Sequence, residues 1–296
     1  MRIVDVHHHL WDLEAHHYPW LANPAPHPAG SLEPIRRSYR LEDFLHDARN
    51  QELVKSVHLQ AAMADPVAET TWLQGLADDP ASRGFPHAII AYADLADPSV
   101  ETTLERHCAH RNVRGIRFMV NFIEGEPLYC MTDRGDWLRH PQWRKGYALL
   151  EKFGLSFDLQ VYGHQMAEAA ELAAAHPGIP VMLNHAGLPH KRDPDTIERW
   201  RAGMRTLAAV PHLAAKISGL GMFDHRWTAE SIRAFVLDTI EIFGVERCMF
   251  ASNFPVDKLS SDYDAIWKAF DRITADFSAP ERQALFHDNA IRHYRL

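Results

Sequence analysis

The chain has 296 residues, a hydrophobic content of 46% and a formal net charge of −8 at pH 7. Its lysines and arginines are scattered and form no basic run, so a nucleic-acid-binding protein is not expected. No apolar stretch approaches transmembrane length, and the N-terminal apolar run is broken at Asp5, so neither a membrane protein nor a signal peptide is predicted. Three widely spaced cysteines argue against a CxxC zinc site and fit a reducing, cytoplasmic location.

The first predicted strand, residues 2–11, is an apolar run that ends in His7-His8-His9. Alternate side chains of a strand share a face, which predicts that His7 and His9 lie together, about 6 to 7 Å apart in rise. The same alternation places Asp5 on their face and His8 on the opposite face with the neighbouring valines. Because neutral imidazole is the commonest metal ligand, this strand predicts a divalent metal site or an active site.

Seven further β-rich apolar segments follow, at residues 53–60, 87–93, 113–120, 155–162, 179–185, 212–218 and 247–252. Amphipathic helical segments are predicted at residues 67–78, 99–111, 143–153, 165–175, 195–210, 228–243 and 263–274. Alternation of strand and helix implies parallel strands with right-handed crossovers, and eight such units close into an α/β fold, the (β/α)8 TIM barrel. We therefore predict one barrel domain over residues 1–296. A doubly wound sheet would normally have a glycine-rich turn after its first strand, where this chain has histidines.

In a TIM barrel the active site lies at the carboxyl ends of the strands. The predicted strand ends are rich in polar residues, namely His7, His9, Gln60, Arg117, Tyr162, His164, His185, Lys216, Asn253 and Asp257. Imidazoles after strands one, five and six are expected to meet in one cavity. The guanidinium of Arg117 is suited to hold a substrate carboxylate by two parallel hydrogen bonds. For Lys216 the sequence leaves two interpretations open, a solvated lysine or an active-site cation.

Five motifs resemble, in order, the signatures of the amidohydrolase superfamily: DVHHHLW (5–11), GIR (115–117), NHAGLP (184–189), KISGL (216–220) and FASNFPV (250–256). The chain is most similar to the amidohydrolase-2 branch, which includes sugar-acid lactonases and 2-pyrone-4,6-dicarboxylate lactonase. This resemblance implies a distorted TIM barrel. It also implies one divalent ion, zinc or manganese, with His7, His9, His164 and His185 at the ligand positions. Some members of this branch act without a metal, so metal-free action is the alternative.

The chain departs from the family pattern at strand eight. Members of the family carry an acid there that acts as general base on the hydrolytic water, whereas this sequence has Asn253. An amide cannot take up a proton at neutral pH. The resemblance therefore implies either that the base has moved, with Asp257 and His185 as the candidates, or that the chemistry differs from ordinary hydrolysis.

The leading hypothesis is a metal-dependent hydrolase that opens a lactone, or a related cyclic ester, of a small organic or sugar acid. Arg117 or Lys216 would receive developing negative charge, and Gln60 and Tyr162 would bind substrate. Two alternatives stay open: a non-oxidative decarboxylase of an aromatic acid, and a catalytically silent barrel that binds a small acid. The expected partner is a small-molecule acid or lactone, with no nucleic acid and no membrane, and a homodimer is compatible with the sequence.

Overall fold

The structure is a computed structural model that describes residues 1–23 and 25–296. Eight parallel strands form one sheet in sequential order. They are β1 (Arg2–His8), β2 (Glu52–Leu59), β3 (Ala88–Ala91), β4 (Val113–Met119), β5 (Ser156–Gln160), β6 (Val181–Leu183), β7 (Leu213–Ile217) and β8 (Cys248–Phe250). The predicted TIM barrel is thus confirmed.

Helices connect the strands on the outside of the sheet. They are α1 (Pro19–Ala22), α2 (Leu41–Asp47), α3 (Pro66–Asp78), α4 (Val100–Cys108), α5 (Pro141–Lys152), α6 (Met166–Ala175), α7 (Pro194–Ala208), α8 (Ala229–Phe243), α9 (Tyr263–Ile273), α10 (Ala279–Gln283) and α11 (Asn289–Tyr294). The seven predicted helices correspond to α3 to α9. Aspartates cap α3 and α7, where Asp65 and Asp193 accept backbone N–H bonds beside a proline in the first turn. Within the described residues, no helix has the length and apolar character needed to cross a bilayer.

Strand β1 does not follow simple alternation, because its register against β2 shifts between Asp5 and His8. Val4 and Val6 pack in the barrel interior with residues of the other strands, such as Met182. His8 instead faces outward and stacks on Phe44 of α2, with ring centroids 4.1 Å apart. The expectation that His8 shares a face with the valines is therefore wrong.

Asp5 also faces outward, contrary to the expectation that it lies beside His7 and His9. Its carboxylate accepts hydrogen bonds from the Ser252 hydroxyl at 2.6 Å, the Ser252 N–H at 3.0 Å and the Tyr263 hydroxyl of α9 at 3.0 Å. Burial raises the pKa of Asp5 to about 6. This carboxylate thus ties β1 to the segment that follows β8.

Two backbone hydrogen bonds complete the closure between β1 and the end of β8. The Asn253 N–H donates to the His7 carbonyl at 2.8 Å, and the His9 N–H donates to the Phe254 carbonyl at 2.7 Å. The first and last strand ends therefore meet at one point. This contact sets His7 and His9 against Asn253.

Candidate active site

A cavity of about 420 Å³ lies at the carboxyl ends of the strands. Six of the ten residues predicted from the sequence line it: His9, Gln60, Arg117, Tyr162, His185 and Asn253. Residues from the segment after β1, including Trp20 and Leu32, also line it. The fold therefore brings most of the predicted site residues into one cavity. His7, His164, Lys216 and Asp257 are not part of its lining.

Three imidazoles form a cluster at the base of the cavity. The ring centroid of His7 is 5.1 Å from that of His9 and 4.3 Å from that of His185. Nδ1 of His9 is hydrogen-bonded to the Leu59 carbonyl at 2.8 Å, and Nδ1 of His185 to the Ser218 hydroxyl at 2.9 Å. In both rings this leaves Nε2 as the nitrogen available to the cavity.

The electrostatic surroundings keep these imidazoles neutral. Burial lowers the pKa of His7 and of His185 well below 6.5, and the nearby charge of Lys216, the second largest cause for both, lowers each pKa further. Burial, followed by the charge of Arg117, lowers the pKa of His9 in the same direction. A neutral imidazole can accept a proton, so each ring is in the form that a general base requires.

The backbone at two of the strand ends is in the left-handed region. His185 has φ 53° and Asn253 has φ 58°, conformations that are uncommon for residues other than glycine. Gly219, in the KISGL motif, has φ 64°, and a Cβ atom there would lie 2.6 Å from Nδ1 of His185. The glycine is therefore needed both for its backbone conformation and for the close approach of the His185 ring.

Arg117 is a buried cation whose guanidinium has few hydrogen-bond partners. One Nη donates to the Gln60 carbonyl at 2.6 Å, the other lies 3.4 Å from Nε2 of His7, and its buried Nε has no partner within the described residues. Burial lowers the pKa of Arg117 to about 10, which leaves the guanidinium charged at neutral pH. A cation held in this way is arranged to receive negative charge from a bound molecule.

Lys216 does not reach the cavity. Its ammonium is fully buried in an ion pair with Asp158, and Asp158 also accepts a hydrogen bond from the Tyr294 hydroxyl at 3.0 Å. Burial lowers the pKa of Lys216 to about 8. Lys216 therefore cannot contact a substrate in the cavity directly, although the sequence had suggested that role. Its charge acts on the cavity only at a distance.

The two candidate bases occupy different positions. Asp257 lies behind Asn253, whose Nδ2 donates to its Oδ1 at 2.9 Å, and it does not line the cavity. Burial raises the pKa of Asp257 to about 7. Of the pair, His185 alone faces the cavity.

His164 lies apart from the imidazole cluster. Strand β5 ends at Gln160, and a tight helical turn, Gly163–Gln165, follows and directs His164 outward. The exposed ring borders a separate cavity of about 160 Å³ that Lys191 also lines. His164 lies beyond the end of the strand, so the structure does not bring it to the other imidazoles, and the ligand position that the resemblance implied for it is not formed.

The remaining donor set does not fit a catalytic divalent ion. Within residues 1–23 and 25–296, no three His, Cys, Asp or Glu side chains are arranged to hold one. The three imidazoles could act as ligands, but no carboxylate lines the cavity in this part of the chain to balance the charge of an ion, and Arg117 lies 3.4 Å from Nε2 of His7. Fixed positive charge disfavours a second cation at such short range. We derive no step through a metal ion.

Three residues around the cavity had no role assigned from the sequence. Asn121 and Gln160 line it, and Nε2 of Gln160 donates to Oδ1 of Asn121 at 3.1 Å. Glu69 of α3 is buried behind the wall and accepts the Ala61 N–H at 2.8 Å. Asn121 and Gln160 follow the rule that polar residues at strand ends mark the site, but the position of Glu69 on a helix gave no such signal.

A family model described as Amidohydrolase matches residues 4–296 of the chain. The chain belongs to the amidohydrolase family. This amidohydrolase is 50% identical over 298 residues to the uncharacterized protein y4mH of Sinorhizobium fredii, with 99% of this chain and 98% of the relative covered. It is 31% identical over 307 residues to an L-fucono-1,5-lactonase of Burkholderia multivorans, with 99% and 96% covered.

A solved structure supports the same assignment. An amidohydrolase from Burkholderia multivorans, crystallised with bound zinc, superposes with a TM-score of 0.81 at 29% identity, and all of both chains is covered. The predicted family is therefore confirmed, and this amidohydrolase is a hydrolytic enzyme.

Proposed function

We propose that this amidohydrolase opens the 1,5-lactone of a sugar acid to the free hydroxy acid. The observation that carries the proposal is the pairing of a neutral His185, with Nε2 available, and a charged Arg117 in one cavity. Amides of Gln60, Asn121 and Gln160 line the same cavity and suit the hydroxyl groups of a sugar ring. The lactonase of Burkholderia multivorans supports the choice of substrate class.

The first step is the attack of water on the lactone carbonyl. Nε2 of His185 accepts a proton from the water as the new C–O bond forms, while Nδ1 stays hydrogen-bonded to Ser218. The carbonyl oxygen gains negative charge, and the guanidinium of Arg117 stabilises that charge. Asn253 holds the water or the substrate by hydrogen bonds, and Asp257 orients the amide of Asn253.

The second step opens the ring. The bond between the carbonyl carbon and the ring oxygen breaks, and the protonated His185 returns its proton to the leaving alkoxide. The product carries one carboxyl group and one new hydroxyl group, so the atoms of water are accounted for. A divalent ion, which the family implies, would be held here by His7, His9 and His185, and we assign it no step because of the charge of Arg117 beside His7.

The test is a panel of substrates with the purified protein. We expect release of acid from L-fucono-1,5-lactone above the spontaneous rate, followed with a pH indicator, and no release of carbon dioxide from dihydroxybenzoates. Loss of this activity in His185→Asn would tie it to the cavity. Carbon dioxide release without lactone opening would replace the proposal by a decarboxylase, and binding without turnover would replace it by a silent barrel.

A further inference from the structure

The lining of the cavity is uneven, and the division follows the order of the strands. The residues at the ends of β2, β4 and β5 include the polar Gln60, Arg117, Asn121, Gln160 and Tyr162, beside Ala61, Ala62 and Met119. Those on the segments after β6, β7 and β8 include the apolar Leu188, Met222, Phe223 and Val256. A molecule in the cavity therefore meets several hydrogen-bonding side chains at the ends of β2, β4 and β5, whereas the segments after β6, β7 and β8 add an apolar patch beside His185 and Asn253.

The polar side contains an acceptor that no described residue satisfies. Gln160 is 6% exposed and its Nε2 is bonded to Asn121, but its buried Oε1 has no partner within the described residues. A buried amide oxygen without a hydrogen bond is costly, so this atom favours a bound molecule that donates a hydrogen bond. A ring hydroxyl of the substrate is such a donor.

The apolar side is supported from behind by aromatic rings. The ring of Phe223 lies 6.2 Å from Tyr129 and 6.3 Å from His190, measured between centroids. Met222 and Leu188 add apolar surface beside it. The side chains of Leu188, Met222 and Phe223 carry no group that bonds a hydroxyl well, and the polar groups behind them are the Tyr129 hydroxyl and the half-buried His190 imidazole. A polar substituent placed against this apolar side would lose its hydrogen bonds to water.

We propose that Gln160 and the pair Met222 and Phe223 determine substrate specificity, by selecting a lactone with one hydroxylated edge and one apolar substituent. This inference rests on the proposed lactonase function. In the bound state a ring hydroxyl donates to Oε1 of Gln160. The substituent on the carbon next to the ring oxygen packs against Met222 and Phe223.

Three lactones of one ring size test both sides. They are a deoxyhexono-1,5-lactone with hydroxyls and a methyl group, the matching hexono-1,5-lactone with a hydroxymethyl group, and δ-hexalactone with the methyl group alone. We expect kcat/KM to be at least about tenfold higher for the deoxy compound than for each of the others, because an apolar pocket rejects an added hydroxyl and an unpaired acceptor rejects a substrate without its donor.

Single substitutions test whether Met222 causes the preference for the methyl group and whether Gln160 causes the preference for the hydroxylated lactone. Met222→Gln keeps the length of the side chain and should reduce the preference for methyl over hydroxymethyl to below about threefold. Gln160→Met should reduce the preference for the hydroxylated lactone over δ-hexalactone by at least about tenfold. Met119→Gln is the matched control, since Met119 pairs with Gln160 across β4 and β5 and lines the polar side. It should leave the ratio of methyl to hydroxymethyl substrate unchanged.

The outcomes separate this inference from the proposed function. Absence of lactone opening with all three compounds removes the proposed function, and the inference with it. Opening of all three at similar kcat/KM by the wild-type protein overturns the inference alone, and this result needs no variant to fold. Equal loss of the methyl preference in Met222→Gln and Met119→Gln would also overturn it.

Discussion

The assignment of the base to His185 makes a prediction that the other candidate, Asp257, does not share. In His185→Asn the side chain can still hydrogen-bond to Ser218, but it cannot take up a proton. General acid–base catalysis supplies about 10² to 10⁴ in rate, so we expect kcat/KM to fall by that factor, about 2.7 to 5.4 kcal/mol of transition-state stabilisation. Asp257→Asn leaves an acceptor for the Asn253 amide, and we expect a loss below about tenfold, because Asp257 does not face the cavity.

The pH profile provides an independent measurement of the same assignment. A base must be unprotonated, so kcat/KM falls as the pH drops through the pKa of the base in the free enzyme. The pKa of His185 lies well below 6.5, because burial and the charge of Lys216 oppose protonation. The acidic limb should therefore begin only below pH 6.5. If Asp257 were the base, the limb would lie near its pKa of about 7.

The assay is initial-rate lactone hydrolysis across the pH range, corrected for spontaneous opening at each pH. Circular dichroism of each variant checks that a loss of rate is not a loss of fold. An acidic limb centred near pH 7 that disappears in Asp257→Asn, together with near wild-type turnover in His185→Asn, would refute the assignment. In that case Asp257, although it lies behind Asn253, would be the base.

Three further predictions follow from the same site. Arg117→Lys should lower kcat/KM at least about tenfold, or about 1.4 kcal/mol, since an ammonium cannot reproduce the planar fork; unchanged kinetics would mean that Arg117 is structural. Extensive treatment with a chelator, checked by elemental analysis, should change kcat/KM less than about twofold; a larger loss that zinc restores would put a metal ion into the mechanism. Asp5→Ala should lower the free energy of unfolding in urea by about 3 kcal/mol or more, because the hydroxyls of Ser252 and Tyr263 lose a buried acceptor, whereas Tyr263→Phe should cost about 1 kcal/mol. Equal effects of these last two changes would show that Asp5 does not hold β1 to the end of β8.

The amino-acid sequence by itself determined the barrel and most of the cavity lining. Strands and helices differ in their hydrophobic period, so the order of elements could be read from local patterns. Because parallel strands of a barrel end on one face, polar residues at strand ends such as Gln60, Arg117 and His185 were correctly expected to meet. Both inferences use only neighbours along the chain and the geometry of the fold class.

The tertiary structure decided which side chains reach the cavity. The register shift in β1 turned Asp5 outward, the turn after β5 carried His164 to the surface, and the ion pair with Asp158 kept Lys216 below the site. Asp257 came to lie behind Asn253 in the same way. Each outcome depends on where a strand ends or on a partner distant in the chain. The hydrophobic period of a local segment indicates neither the exact strand end nor the distant partner, because both are set by the packing of the whole barrel.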